Sequence, residues 1–134
     1  MWRPLRYGSC MRPVPRWFVA ICWTLAVLFS LSVGLQVNDP DPIRWMALYA
    51  AAGIAVGVLP ARRFVSLVCI AIGLVAAGWA AYLGQQVFSV IKISDLWLKM
   101  SEKGGAVEVG REAGGLAIVA IGLIACGAFR STRA

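Results

Sequence analysis

The residues whose types and spacing can do chemistry fall in two short stretches. In VGLQVNDPDPIRW, residues 33–45, Asn38, Asp39 and Asp41 are interleaved with prolines and followed by Arg44 and Trp45, with Tyr49 one helical turn further on. In EVGREAGG, residues 108–115, Glu108, Arg111 and Glu112 lie at the start of the expected fourth helix. Carboxylates converging beside an Asn or Gln amide can bind a divalent cation through oxygen. Joined by the two arginines, they can hold a phospholipid head group, and with a bound metal they can activate water for hydrolysis. The same residues also suit structural work. Asp41 before Pro42 reads as an N-cap followed by proline at the first helical position. Asn38 reads as a helix stop and Glu112 as a first-turn acid, while Arg44 or Arg111 can pair with a nearby carboxylate. The spacing matches no metal-ligand signature, so the expectation names no metal, no cofactor and no catalytic residue.

Other chemistries are excluded or disfavoured by what the chain lacks. With no histidine, Ser-His triads, histidine acid-base catalysis and histidine-ligated metals are ruled out. Cys22, Cys69 and Cys126 lie in apolar runs and Cys10 in the basic N-terminal stretch, with no CxxC spacing. They are therefore expected to act as small buried hydrophobes rather than as a disulfide framework or a zinc site.

The elements that must position the polar residues follow from hydropathy. A 134-residue chain that is 60% hydrophobic and only 14% charged has a bilayer as its natural solvent, and its mean hydropathy of +0.78 agrees. Uncharged or nearly uncharged runs predict four transmembrane helices near 17–36, 43–60, 64–84 and 113–129, forming one compact all-α bundle over residues 1–134, with 85–112 as an outer loop. Within that loop, Ser94 is expected to N-cap a short interfacial helix with Leu96, Trp97 and Met100 on one side and Asp95, Lys99 and Glu102 on the other, ended by Gly104 and Gly105. Gly53 and Gly57 form a GxxxG, and Gly73, Ala77, Ala80, Gly84, Gly115 and Gly122 mark further small-residue faces. These are expected to pack the bundle, with homo-oligomerisation or a membrane-protein partner as the alternative use.

Charge sets the orientation. Arg3, Arg6, Arg12, Arg16, Arg62, Arg63, Arg130 and Arg133 fall on one side with no acid among them, whereas all 6 acids fall on the other. Both termini are therefore expected in the cytoplasm, with the lipid bilayer as the principal partner and the bacterial inner membrane as the location. The net charge of +7 is divided between apolar runs rather than gathered as a stripe, which argues against nucleic acid. A cleaved signal peptide ending near Ser30 and Ser32 is the lesser alternative, and translation starts at Met1 or Met11. Mid-bilayer positions carry no Asp, Glu, Lys or Arg, which disfavours a proton-coupled carrier.

Two motifs add a resemblance. LQVNDPDPIRWMALY, residues 35–49, resembles the first-loop motif of the transmembrane protein 220 family, and VGREAGGLAI, residues 109–118, is similar to its second motif. The likeness runs roughly from Trp17 to Phe129, without the extra C-terminal segment of animal members and with a longer basic N-terminus, as in a compact bacterial member. It implies a small multi-pass membrane protein of no established activity. It also implies that Asn38, Asp39, Asp41, Glu108, Arg111 and Glu112 act together. The expectation is a non-enzymatic membrane protein whose outer cluster ties helices together and binds a lipid head group, cation or partner. The alternatives are a membrane-embedded enzyme acting on a lipid-borne substrate, and a channel or transporter subunit.

Overall fold

The structure, a computed structural model, describes residues 12–99 and 105–133. Helix α1 (Arg16–Leu35) runs on through a 3-10 turn (Gln36–Asn38), and α2 is Pro42–Val58. Helix α3 (Val65–Val87) leads to a second 3-10 turn (Ile93–Trp97), and α4 is Ala106–Thr132. No strand occurs among the described residues. Three stretches, Arg16–Asn38, Val65–Val87 and Ala106–Thr132, are long and apolar enough to cross a membrane, and Pro42–Val58 is a shorter apolar helix. At a rise of about 1.5 Å per residue, α2 is roughly 26 Å long, a little under the thickness of a hydrocarbon core.

Helices α1 to α3 run close to the stretches expected to span the membrane, whereas α4 is longer than its expected span. That helix begins at Ala106 rather than near Ala113, so the last part of the expected loop is helical. Glu108, Arg111 and Glu112 interrupt the apolar run without interrupting the helix, because Glu and Arg are good helix formers. Its start is set by Gly105, whose φ of 85° is a left-handed conformation that glycine adopts without penalty. The interfacial helix also differs from expectation. It is a 3-10 turn opened by Lys92, whose backbone N–H donates to Asp95 Oδ2 at 2.8 Å, so Asp95 rather than Ser94 supplies the cap. Met100, Glu102 and Gly104 lie outside the described residues.

The bundle is built from two close pairs, α1 with α2 and α3 with α4, and α2 also touches both α3 and α4. Small residues set each close approach. A Cβ added at Gly53 would meet Ala26 O and Phe29 Cβ, both at 3.5 Å, and one at Gly57 would meet Ala26 Cβ at 3.5 Å. The GxxxG of α2 is thus occupied by α1 of the same chain. Gly73 of α3 faces Ile124 of α4, whereas a Cβ added at Gly84 would meet nothing within 4 Å among the described residues. Between α1 and α4 aromatic side chains carry part of the contact. Phe18 lies against Phe129 with ring centroids 4.7 Å apart, and Trp17 against Phe129 at 5.0 Å.

Phe18, Cys22, Phe29, Val56, Cys69, Ala76, Leu116, Val119, Leu123 and Cys126 fill the interior. The three cysteines are free and buried, as expected of small hydrophobes, and the Cys22 and Cys126 side chains lie beside one another. Hydroxyls return to their own helices: Thr24 donates to Ala20 O at 2.8 Å, Ser30 to Ala26 O at 2.7 Å and Ser32 to Leu28 O at 3.0 Å. An apolar interior with self-satisfied hydroxyls disfavours a polar path between the helices. Around the outside, Leu31, Ile54, Leu67 and Ile121 are exposed, a distribution that acyl chains solvate and water does not. At the end opposite the acidic residues, buried Arg130 donates from Nε to Leu59 O at 3.4 Å and so ties the end of α4 to the end of α2.

Candidate functional site

The polar residues meet where the end of α1, the start of α2 and the start of α4 come together. Proline at the first position of α2 and the tight turn before it aim the chain back along α1. Asp39 Oδ1 accepts the backbone N–H of Asp41 at 3.0 Å and so closes that turn. Asp41 occupies the N-cap position of α2 but makes no side-chain cap bond. Instead its Oδ2 lies 2.9 Å from Arg44 Nε, an exposed pair one turn apart that replaces the expected cap.

On α4, Glu108 and Glu112 are four residues apart and share a face. Asp39 reaches the same place, so that one carboxylate oxygen from each of Asp39, Glu108 and Glu112 lies within 4.8 Å of the others. On α2, Trp45 and Tyr49 likewise share a face. These residues, with Gln36 and Arg111, line a cavity of about 190 Å³. Desolvation raises the pKa of Glu112, which stands ahead of the uncharged run beginning at Ala113, and the carboxylates of Glu108 and Asp39 push it further up, against a lowering influence of Arg44.

Of the residues singled out in the sequence, Asp39, Trp45, Tyr49, Glu108, Arg111 and Glu112 thus share one cavity wall. Asn38 is exposed and, like Asp41 and Arg44, stands outside that wall. Arg44 is nevertheless placed behind it, with its guanidinium carbon 5.8 Å from the ring centres of both Trp45 and Trp79. The two indoles stack at 4.7 Å with planes 16° apart, which backs the cavity with a rigid aromatic pair.

The donors are as informative as the acceptors. Trp45 is 2% exposed, and its indole Nε1–H is buried without a hydrogen-bond partner among the described residues. Tyr49 is accommodated because Gly115 has no side chain, since a Cβ there would stand 2.7 Å from the phenolic oxygen. The arrangement offers three carboxylates, an indole N–H, a phenol and a guanidinium to one small space, a set suited to binding a compact polar or charged group.

Sequence reasoning passed over Gln36, Trp79 and Gly115 as parts of this site. Gln36 had a signal, as the first polar side chain after a long apolar run and close to Asp39. Trp79 had none, because nothing in a sequence announces which tryptophan of α3 will stack on one of α2.

The family model for transmembrane family 220, helix, matches residues 28–128, a span that contains all the residues of the cavity. No curated protein and no solved structure matches the chain.

Proposed function

Since the chain belongs to transmembrane family 220, a family of helical integral membrane proteins, we propose that it is a non-enzymatic four-span protein of the bacterial inner membrane. Both termini are cytoplasmic, and a polar cavity at the outer end binds a small charged group. In this reading α2 completes the fourth crossing, with Pro42 at one interface and the Arg62, Arg63 pair beyond the other. The charge asymmetry supports the orientation, because the arginines beside Arg130 and in the loop after α2 mark the face opposite the acids.

The observation that carries the binding role is the convergence of Asp39, Glu108 and Glu112, from segments far apart in the chain, on one cavity. A pure helix clamp would be expected to pair such carboxylates with cations. Here the ion pair found among the described residues, Arg44 with Asp41, lies outside the wall.

Native mass spectrometry in mild detergent tests the binding role. The wild type is expected to retain a small ligand or phospholipid that folded Asp39→Asn and Glu112→Gln both lose. Equal retention by all three would reduce the cluster to a structural clamp. For topology, alkaline phosphatase fused after Lys92 is expected to be active and the same fusion after Ala61 inactive. The reverse pattern would invert the assigned orientation.

A further inference from the structure

The occupant of the cavity can be taken one step further, on the footing of the binding role just described. We infer that Asp39, Glu108 and Glu112 form a binding site for a hard divalent cation of the magnesium, calcium or manganese class. Oxygen ligands of one such ion lie about 2.0–2.6 Å from it, so two of them stand at most about 5 Å apart. The trio meets that limit, with one oxygen from each residue within 4.8 Å of the others. Three carboxylates held this close repel one another, and a divalent ion at their centre turns that repulsion into attraction. Arg44 is engaged by Asp41, and among the described residues no arginine forms an ion pair with the trio. The ligand set is all oxygen, with neither histidine nor cysteine in the wall, which selects a hard cation over zinc or copper.

The second feature pointing to an occupant is Trp45. The residue lines the wall, it is 2% exposed, and its Nε1–H has no acceptor among the described residues. A buried donor without a partner is unfavourable, and an indole N–H cannot ligate a metal. It can donate to a water in the ion's coordination shell. A cavity of about 190 Å³ has room for the ion and several waters, which suits cations that keep part of their hydration. Loaded in this way, the ion would link the turn after α1 to the first two turns of α4.

Isothermal titration of chelator-treated full-length protein in dodecyl maltoside, with calcium, magnesium and manganese in turn, tests the inference. The expected result is saturable binding of at least one of these ions, one per chain, with Kd below about 1 mM. Asp39→Asn and Glu112→Gln are expected to weaken it at least tenfold, and Asp41→Asn, outside the wall, to leave it unchanged. Trp45→Phe keeps a ring and removes the donor, and is expected to weaken binding by a smaller factor; should the carboxylate variants fail to fold, unchanged binding by folded Trp45→Phe overturns the inference. So does a folded wild type that binds none of the three ions, or carboxylate variants that bind as tightly as wild type. Native mass spectra of the same samples separate the two readings. A phospholipid kept by wild type and lost from the variants, with no cation bound, overturns the cation site and leaves the binding role standing, whereas a wild type carrying neither overturns both.

Discussion

Trp45→Ala is expected to lower the stability of the folded bundle by about 3–5 kcal/mol, the range for truncating a large buried aromatic side chain. The loss has three sources. Trp45 is 2% exposed, so truncation opens a void in packed structure. The stack on Trp79 at 4.7 Å is lost, and with it a main tie between α2 and α3, which otherwise touch sparingly. Finally, Arg44 loses one of the two rings beside its guanidinium. Trp45→Phe separates these effects in part, since it retains a smaller aromatic surface against Trp79 and removes the unpartnered Nε1–H together with part of the ring volume. It is expected to cost less than Trp45→Ala, about 1–3 kcal/mol, in keeping with the smaller void it leaves. Helical circular dichroism of the purified protein, followed through denaturant titration in mixed micelles, gives both values. A Trp45→Ala loss below about 1 kcal/mol would mean that the indole pair is peripheral to the fold.

That prediction could not have been written from the sequence, and the reason is general to helices in lipid. The apolar runs place α1, α2 and α3 closely, because exclusion of charge from a hydrocarbon layer is a one-dimensional property of the chain. Cap chemistry at Asp41–Pro42 marks the start of α2 for the same local reason, although the Asp41 side chain turns to Arg44 instead of capping. The seven residues of α4 ahead of the expected span were not legible in the same way, because that rule follows the membrane rather than the helix, and Glu108, Arg111 and Glu112 are compatible with the second but not the first. The cavity was legible as a set of residues at one end of the bundle, since four alternating helices bring the first and third connections to the same end. Its membership was not. Asn38 lies two positions from Gln36, yet Gln36 lines the wall and Asn38 is exposed, a choice made by the short 3-10 turn Gln36–Asn38. The approach of Cys22 of α1 to Cys126 of α4 was equally invisible, because no spacing rule connects them.

Gly127→Ala tests the other contact that carries the bundle, the α3–α4 pair, and is expected to be destabilising by about 1–3 kcal/mol, the usual range for overpacking a close contact. A Cβ at this position would stand 2.8 Å from Ser66 O and 2.8 Å from Ile70 Cγ1, with Cys69 Cβ at 3.3 Å. The isoleucine can rotate away, but the carbonyl belongs to the backbone of α3, so relief requires the two helices to separate. Separation propagates, because Gly73 sits in the same interface with Ala120 O and Ile124 N each 3.2 Å from its missing Cβ. Between membrane helices, packing replaces the hydrophobic drive that water would supply, so lost proximity is not recovered by burial elsewhere. Gly78 provides the internal control. It is an exposed glycine of α3 with nothing within 4 Å of a Cβ, and Gly78→Ala is expected to be neutral or to stabilise by up to about 1 kcal/mol through helix propensity alone. Parallel denaturant titrations in one detergent, with helicity as the readout, compare the two directly. Opposite signs for Gly127→Ala and Gly78→Ala mean that the α3–α4 interface is held at backbone contact, whereas a neutral Gly127→Ala would mean that the pair is looser than the structure places it.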